Sequence, residues 1–182
     1  ALARAVQMTE QGADVIDVGG ESTRPGSQPV PPEQQIERVV PVIERVVEQI
    51  PGVLVSIDTT YANVAAAALK AGAMILNDIS AGRNDRNMVE LAASSTAPIV
   101  LMHMQGTPAT MQDDPHYDNV VQDVLAFLIE RAEIAMEAGV RRDQIIIDPG
   151  IGFGKTQIHT LQLLAYLDRF VATGFPVLLG TS

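Results

Sequence analysis

Acidic and amide side chains recur where short apolar segments of the sequence end. These residues are Asp17, Asp58, Asn77 and Asp148. A single Asp after a strand is most simply a turn or helix-capping residue. Three of them with one Asn, each at the same position in a repeated pattern, indicate instead a site for a ligand with several N–H donors, because carboxylates accept hydrogen bonds and an amide both accepts and donates.

The amino-pyrimidinone edge of a pterin is a ligand of this kind, whereas acids would repel a ligand made only of phosphate. The loop Ser22-Thr-Arg-Pro-Gly26 adds groups that suit an anion. The Arg24 guanidinium has a fork that fits phosphate or carboxylate, and Thr23 can donate a hydrogen bond to either. An isolated Arg beside Pro-Gly is usually a surface turn, but the position after Glu21 favours a mobile loop that closes over a site.

A glycine-rich segment, Pro149-Gly-Ile-Gly-Phe-Gly-Lys-Thr156, resembles phosphate-binding loops but has the wrong spacing. Gly150 and Gly154 enclose three residues, where a P-loop needs four, and the dinucleotide-binding pattern does not fit either. The segment is therefore interpreted as a flexible loop between a strand and a helix. Phe153, held among glycines beside Asp148, could form a platform for a flat ligand.

His103 and His116 are the candidate metal ligands of the central segment, with Asp113 and Asp114 nearby. A single His without a partner at ligand spacing is more often structural, so no metal site is predicted within the chain. Met104 is adaptable filling for an aromatic ligand's pocket, although core packing is an equal alternative. Met102 and Met104 are expected to face opposite sides of the sheet.

The segments that must position these residues alternate between strand and helix. Six apolar runs, near residues 15–18, 53–57, 74–76, 99–102, 145–147 and 177–179, are separated by helical patterns. This alternation predicts an α/β fold of parallel β/α units, either an open doubly wound sheet or a (β/α)8 TIM barrel. Polar residues at nearly every strand end favour the barrel, in which all these ends meet at one face.

A whole barrel averages about 250 residues, so the sequence predicts one partial-barrel domain over residues 1–182, with about six of the eight β/α units. The first and last strands are expected to lie outside it. The chain begins at Ala1 within a helical pattern and ends directly after an apolar run, which suggests a piece of a longer protein.

Composition excludes several functional classes. The net charge is −10, with only 12 Lys and Arg, so neither nucleic acid nor an anionic membrane is an expected partner. No apolar run approaches the length of about 18 residues that a membrane-spanning helix needs, and the N-terminus lacks a signal-peptide pattern. Without Cys, thiolate chemistry is excluded. A cytoplasmic location is the expectation.

Taken together, the motifs resemble dihydropteroate synthase, a pterin-binding barrel family of the folate pathway. The resemblance covers the whole chain. It rests on five motifs: Asp17-Val-Gly-Gly-Glu-Ser-Thr-Arg-Pro-Gly26, Ser56-Ile-Asp-Thr59, Asn77-Asp-Ile79, Leu101-Met-His-Met-Gln-Gly-Thr-Pro108 and Asp148-Pro-Gly-Ile-Gly-Phe-Gly-Lys155. The first and fourth are specific to this family within the wider pterin-binding barrels.

The resemblance implies condensation of 6-hydroxymethyl-7,8-dihydropterin pyrophosphate with p-aminobenzoate, giving 7,8-dihydropteroate and pyrophosphate with Mg²⁺ present. It implies that Asp58, Asn77 and Asp148 hold the pterin, with Met104 and Phe153 near the ring. Thr23 would contact the pyrophosphate, and Arg24 and Pro25 would lie in the loop that shapes the p-aminobenzoate site. The implied catalytic residues are Asp58, Thr23 and Arg24. The family is a target of sulfonamides, and its members are commonly homodimers.

Nothing in the sequence matches three other parts of the family pattern: an early Asn loop linked to the metal, an Arg-Lys pair and an Arg-x-His segment. The fragment alone is therefore expected to lack turnover. Two alternatives stay open. One is a pterin-binding methyltransferase domain, which would not need the loop at residues 22–26. The other is a non-catalytic pterin-binding barrel fragment.

Overall fold

The structure, a computed structural model, describes residues 1–24 and 27–181 as one α/β unit. Helices and parallel strands alternate along the chain. The strands are β1 (Val15–Gly19), β2 (Leu54–Asp58), β3 (Ile75–Asp78), β4 (Ile99–Met102) and β5 (Ile145–Asp148). The helices are α1 (Leu2–Glu10), α2 (Pro32–Gln49), α3 (Ala62–Lys70), α4 (Asn87–Ser95), α5 (Val120–Glu137), α6 (Gln157–Ala165) and α7 (Leu167–Val171), with a 3-10 turn at Arg142–Gln144.

The order of strands in the sheet follows their order in the sequence. Each strand pairs in parallel with the next, giving β1-β2-β3-β4-β5 without any reversal. A doubly wound sheet reverses its order at a switch point, whereas a barrel adds each strand beside the previous one. The topology therefore agrees with the predicted barrel arrangement, and the carboxyl ends of all five strands lie at one end of the sheet.

Strand register separates the sheet into two faces, because successive side chains of a strand point to opposite sides. We call the face packed against the helices the outer face. Its side chains are buried: Ile16, Val18, Val55, Ile57, Leu76, Asp78, Ile99, Leu101, Ile145 and Ile147. We call the other the inner face. It carries Val15, Asp17, Leu54, Ser56, Asp58, Ile75, Asn77, Val100, Met102, Ile146 and Asp148.

Helix α2 shows how the outer layer is held. Its buried positions are Gln35, Val39, Ile43 and Val46, which recur at helical three- and four-residue steps. Ile36 and Val40, beside this face, are half-buried, and Val47 is 42% exposed. The helix continues through Pro41, which lies on the exposed side.

Two elements differ from the sequence prediction. The sixth predicted strand, 177–179, is not a strand in the structure: Val177 forms only an isolated parallel bridge with Ile147. Its backbone bonds to β5 both involve Ile147, whose amide donates to the Pro176 carbonyl and whose carbonyl accepts from the Leu178 amide, so the pairing does not extend into a ladder. The last helix is divided at Tyr166 into α6 and α7, because the backbone there leaves the helical conformation.

Candidate active site

Asp58 ends β2 on the inner face, and its carboxylate lies in a cleft at the carboxyl end of the sheet. The pKa of Asp58 is raised from 3.8 to about 7, mainly by burial and to a smaller extent by the negative charges of Asp17, Asp78 and Glu21. Within the described ranges, no side chain or backbone group donates a hydrogen bond to it. Asp58 is therefore a carboxyl group that can change its protonation state near neutral pH and still has free acceptors.

The cleft has a volume of about 340 Å³ and is built from the loops that follow four strands. It contains three of the predicted site residues, Asp58, Thr23 and Met104. The other lining residues are Glu21, Ser22, Pro29, Gln35, Thr59, Thr60, Tyr61, Ile79, Ser80, Arg83, Asn84, Gly106, Thr107 and Pro108. Asn77, Asp148, Phe153 and Arg24 do not line it.

The loop after β1 is anchored at its base by Gln35, a buried polar residue of α2. The Gln35 amide nitrogen donates to the Glu21 carboxylate at 2.7 Å and to the Val30 carbonyl at 2.9 Å. Its oxygen accepts from the Thr59 hydroxyl at 3.3 Å. A Cβ at Gly20 would lie 2.9 Å from the Gln35 Cα, so only glycine permits this approach. Gln35 thus fixes the start and the end of the loop that carries Thr23.

Sequence reasoning missed Gln35, although a signal for it was present. Gln35 lies four residues before Val39 on the buried face of α2, where an apolar side chain is the usual occupant. A polar residue at such a position must find buried partners.

Asn77 lies beside Asp58 on the inner face, since the two residues are register partners of neighbouring strands. Its amide nitrogen donates to the Asp17 carboxylate at 3.0 Å. The pair is accessible from the inner face rather than from the cleft. Asp17, Asp58 and Asn77 therefore form one polar row, which lies at the mouth of the sheet and continues from the cleft towards the inner face.

Asp148 ends β5 and is 5% exposed. Burial raises its pKa to about 6, against the opposing effects of a hydrogen bond from the Gly150 amide and of the Lys155 charge. The Gly150 amide nitrogen lies 2.7 Å from the Asp148 carboxylate oxygen. Asp148 is therefore the second carboxyl group of the inner face with a pKa close to neutral.

An apolar cluster borders the cleft. Met102, Met104, Met111 and Ile79 are buried together, and Phe153 packs against them partly exposed. The expectation that Met102 and Met104 face opposite sides was wrong: β4 ends at Met102, and residues two positions apart point the same way in an extended chain. The cluster gives the cleft one apolar wall, which suits an aromatic ring.

Arg83 is a second residue that sequence reasoning missed, and no local pattern distinguishes it from other loop arginines. Its guanidinium lines the cleft and donates to the carbonyl oxygens of Met104 at 2.9 Å and Ser80 at 3.1 Å. It also lies 5.0 Å from the centre of the Phe127 ring. Arg83 joins the loop after β3 to the loop after β4.

The remaining predicted residues lie apart. Arg24 is exposed, and Pro25 lies outside the described residues. His103 is buried against Phe127, whereas the His116 side chain is 82% exposed. Residues 1–24 and 27–181 contain no group of three or more His, Asp or Glu side chains that could hold a metal ion. No helix in the same ranges is long and apolar enough to cross a membrane.

Comparison with known proteins relates the whole chain to one family. The family model described as pterin binding enzyme matches residues 1–182. A dihydropteroate synthase of Bacillus subtilis (strain 168) is 45% identical over 182 residues, covering 100% of this chain and 61% of that protein. One from Streptococcus pyogenes serotype M6 is 50% identical over the same 182 residues and is covered to 65%.

Among solved structures, Xanthomonas albilineans dihydropteroate synthase with 4-aminobenzoic acid superposes with a TM-score of 0.93 at 45% identity, covering 100% of this chain and 63% of that one. The chain thus spans less than two thirds of the length of these relatives. Together with the sequential parallel sheet, this similarity identifies the fold as part of a TIM barrel.

Proposed function

Because the chain belongs to the family of pterin binding enzymes, we propose that it forms the pterin-binding part of a dihydropteroate synthase. The proposed reaction joins p-aminobenzoate to 6-hydroxymethyl-7,8-dihydropterin pyrophosphate and releases pyrophosphate, giving 7,8-dihydropteroate. The relatives with this name, at 45% and 50% identity over 182 residues, support the proposal.

The observation that carries the proposal is the surroundings of Asp58. Its carboxylate is largely buried, has no donor among the described residues, and shares a cleft with the apolar side chains of Met104 and Ile79. A pterin has this combination of properties, since its flat ring would pack on the apolar wall while its ring N–H and amino groups donate to carboxylates.

The acids around Asp58 also suit the proposed chemistry. Charges on Asp17, Glu21 and Asp78 raise the pKa of Asp58, which means that they create a negative potential at its carboxylate. The same potential stabilises a positive charge that develops on a bound pterin as pyrophosphate leaves. Fixed charges in a site shielded from water act strongly at this point, because they need no reorganisation during the reaction.

The other site residues follow from this placement. Asn77 lies beside Asp58 on the inner face, and Asp148 lies on the same face across β4. Phe153 packs against the apolar cluster that contains Met104. Thr23, in the loop anchored by Gln35, would contact the leaving pyrophosphate. Arg24 and Pro25 would act from the same loop, on the p-aminobenzoate side.

Several wider properties of the family belong to the proposal. These are the participation of Mg²⁺, inhibition by sulfonamides, a homodimeric assembly and a cytoplasmic location. The donor set of the described residues does not fit a metal ion, since no cluster of ligands is formed. No step of the reaction is therefore assigned to Mg²⁺ within this chain, and its ligands would belong to segments outside it.

No feature of the structure favours the methyltransferase alternative over the synthase. The loop at residues 22–26 argues against it, because Thr23 lines the cleft beside Asp58 and supplies a hydroxyl that an anionic leaving group requires. The non-catalytic alternative shares the pterin pocket and differs only in turnover.

The test is calorimetric binding of 6-hydroxymethylpterin to the parent protein and to Asp58→Asn. We expect binding by the parent and a loss of roughly tenfold or more in the variant. Asp118→Asn is the matched control, because the Asp118 side chain is fully exposed. Equal affinity in all three proteins would contradict the proposed pocket.

Turnover is tested separately, by pyrophosphate release in the presence of p-aminobenzoate. We expect release from the full-length protein and none above blank from residues 1–182 alone, because the implied cationic residues for the anion lie outside this sequence. Pterin binding without turnover by the full-length protein would support the non-catalytic alternative.

A further inference from the structure

Lysine is rare in this chain, and the two lysines have opposite environments. Lys70 lies in the last turn of α3 and is exposed. Lys155, in the segment that resembles a phosphate-binding loop, is only 4% exposed. Burying an ammonium group costs free energy unless its N–H groups find partners. The proposed function assigns no role to this buried lysine beside the candidate site.

The Lys155 ammonium group lies among three acceptors. It is 2.8 Å from the Phe153 carbonyl oxygen, 3.2 Å from the His103 carbonyl oxygen and 3.0 Å from His103 Nδ1. Three acceptors match the three N–H bonds of a protonated lysine. Burial, followed by the charges of Lys155 and Arg83, lowers the pKa of His103 to about 3, so its ring is neutral and Nδ1 can accept.

Burial lowers the pKa of Lys155 itself to about 7, although the nearby Asp148 carboxylate opposes this shift. These contacts occupy the ammonium group. Since three acceptors match the three N–H bonds of protonated Lys155, none is left for a phosphate, which agrees with the failure of the segment to match a P-loop. The next residue, Thr156, caps α6 by accepting from the His159 amide at 3.2 Å.

The partners of Lys155 belong to two different loops. His103 begins the loop after β4, and Phe153 lies in the loop after β5. The two loops pack so closely that glycine is required at the contact. Gly150 has a φ of +65° and a Cβ there would overlap the His103 carbonyl group, while a Cβ at Gly154 would lie 2.7 Å from the Gln105 carbonyl oxygen.

Both anchored segments carry residues of the apolar cluster that borders the cleft. Met104 follows His103 directly, and the Phe153 carbonyl that accepts from Lys155 belongs to the residue whose ring packs against Met104. A single ammonium group therefore holds the backbone next to Met104 and the backbone of Phe153 at a common point. The Gln112 amide and the Tyr117 hydroxyl also join these loops, donating to the carbonyl oxygens of Gly152 and Gly154. Without Lys155, the loops would keep those bonds and their apolar contact but lose the polar link directly beside Met104 and Phe153.

We infer that Lys155 is a positioning residue of the proposed pterin site, which clamps the loop after β4 to the loop after β5 and so holds Met104 and Phe153 where the flat ring binds. This inference rests on the proposed function for the identity of the ligand. It assigns no direct contact with substrate to Lys155.

The test compares Lys155→Met, Lys155→Gln and Lys70→Met in the full-length protein, with 6-hydroxymethylpterin as the probe. Methionine keeps the length of the side chain but donates nothing, whereas glutamine keeps two donors. We expect pterin affinity to fall roughly tenfold in Lys155→Met, as for the loss of hydrogen bonds to a charged group, and by less in Lys155→Gln. Lys70→Met should bind as the parent does.

A general loss of stability must be separated from a loss of positioning. Ile43→Val provides the control, because Ile43 is fully buried in α2, far along the chain from both loops, and its truncation only weakens the core. We expect Ile43→Val to lower the melting temperature without changing pterin affinity. In Lys155→Met, the KM for the pterin substrate should rise more than kcat falls. Unchanged pterin affinity in folded Lys155→Met would overturn the inference.

Hydrogen exchange on the parent protein covers the case in which the lysine variants do not fold. Peptides 103–106 and 149–155 should exchange at a common rate and gain protection together when the pterin is added. Independent exchange of the two peptides would also overturn the inference. If the parent protein fails to bind the pterin, the proposed function fails, whereas joint exchange of the two loops without ligand would still support their coupling.

Discussion

The inner and outer faces of the sheet each carry a buried acid, and the two acids have different surroundings. Asp78, on the outer face, accepts hydrogen bonds from the Ser80 amide at 2.8 Å, the Ser80 hydroxyl at 2.7 Å and the Gly82 amide at 2.7 Å. Asp58, on the inner face, has no donor among the residues that the structure describes. Asp78 shapes the loop after β3, whereas Asp58 keeps its acceptors for a ligand.

Burial is the main cause of the raised pKa in both groups. A raised pKa by itself therefore does not distinguish a structural acid from a ligand-binding one. The distinction comes from the hydrogen bonds. Three donors to Asp78 oppose the effect of its burial on the pKa, whereas three neighbouring acids raise the pKa of Asp58 further. Catalysis, stability and pH dependence should all reflect this difference between the two faces.

The largest effect is expected for catalysis on the inner face. Asp58→Asn should lower kcat/KM by roughly 100-fold or more, the size of effect seen when one preorganised electrostatic group is removed from an active site. Steady-state kinetics on the full-length protein would measure it. The comparison between the faces would fail if Asp78→Asn reduced kcat/KM as much while leaving the protein equally stable.

Close packing at the mouth of the inner face should make the loss of stability on Gly→Ala substitution differ between two glycines of one loop. Gly150→Ala should destabilise the protein by about 3 kcal/mol more than Gly152→Ala, because only the first substitution adds backbone overlap to the strain of a positive φ. Gly150 and Gly152 have φ values of +65° and +83°, and a Cβ at Gly152 would meet nothing within 4 Å. Urea unfolding of both variants provides the measurement, and equal stability would show that the loops are not packed as described.

The outer-face acid should affect stability rather than binding. Asp78→Ala removes the acceptor of three donors, and each buried donor left without a partner is costly, so we expect a loss of about 2–4 kcal/mol. Asp58→Asn should instead keep or raise stability at pH 8, because it removes one of four mutually repelling acids. Chemical denaturation at pH 8 compares the two variants. Equal destabilisation by Asp78→Ala and Asp58→Asn would show that the two acids do not differ in their structural role.

The smallest effect concerns pH. The pKa of Asp58 is raised from 3.8 to about 7, so the folded state binds its proton more tightly than the unfolded state does. This contribution to stability is complete below about pH 4 and is lost as the pH rises through about 7. Between pH 5 and 8, stability should fall by about 2–3 kcal/mol more in the parent than in Asp58→Asn.

The Asp148 carboxyl group, with a pKa of about 6, should also lower the stability as the pH rises, but by less than Asp58 does between pH 5 and 8. Urea unfolding at several pH values measures both contributions, with Asp118→Asn as the exposed control. Parallel pH profiles for the parent and Asp58→Asn would contradict the raised pKa of Asp58.

Much of the fold could be predicted because its signals are local. Apolar runs, glycine stops and helical periodicity located all five strands and nearly all the helices, and the polar strand ends favoured the barrel over the open sheet. The segment at residues 177–179 was predicted to be a strand from its apolar pattern, but it forms a single bridge to Ile147 of β5, and a strand needs a ladder of several such pairs.

The sequence by itself determined which residues could do the chemistry. Alternation in a strand follows from backbone geometry, so the polar residues at strand ends were bound to meet at one end of a parallel sheet. Only the tertiary structure decided what each of them does there. Within residues 1–24 and 27–181 it left Asp58 without a donor, paired Asn77 with Asp17, and turned Lys155 inward onto His103. Burial and hydrogen-bond partners depend on segments that are distant in the sequence, and no local pattern encodes those contacts.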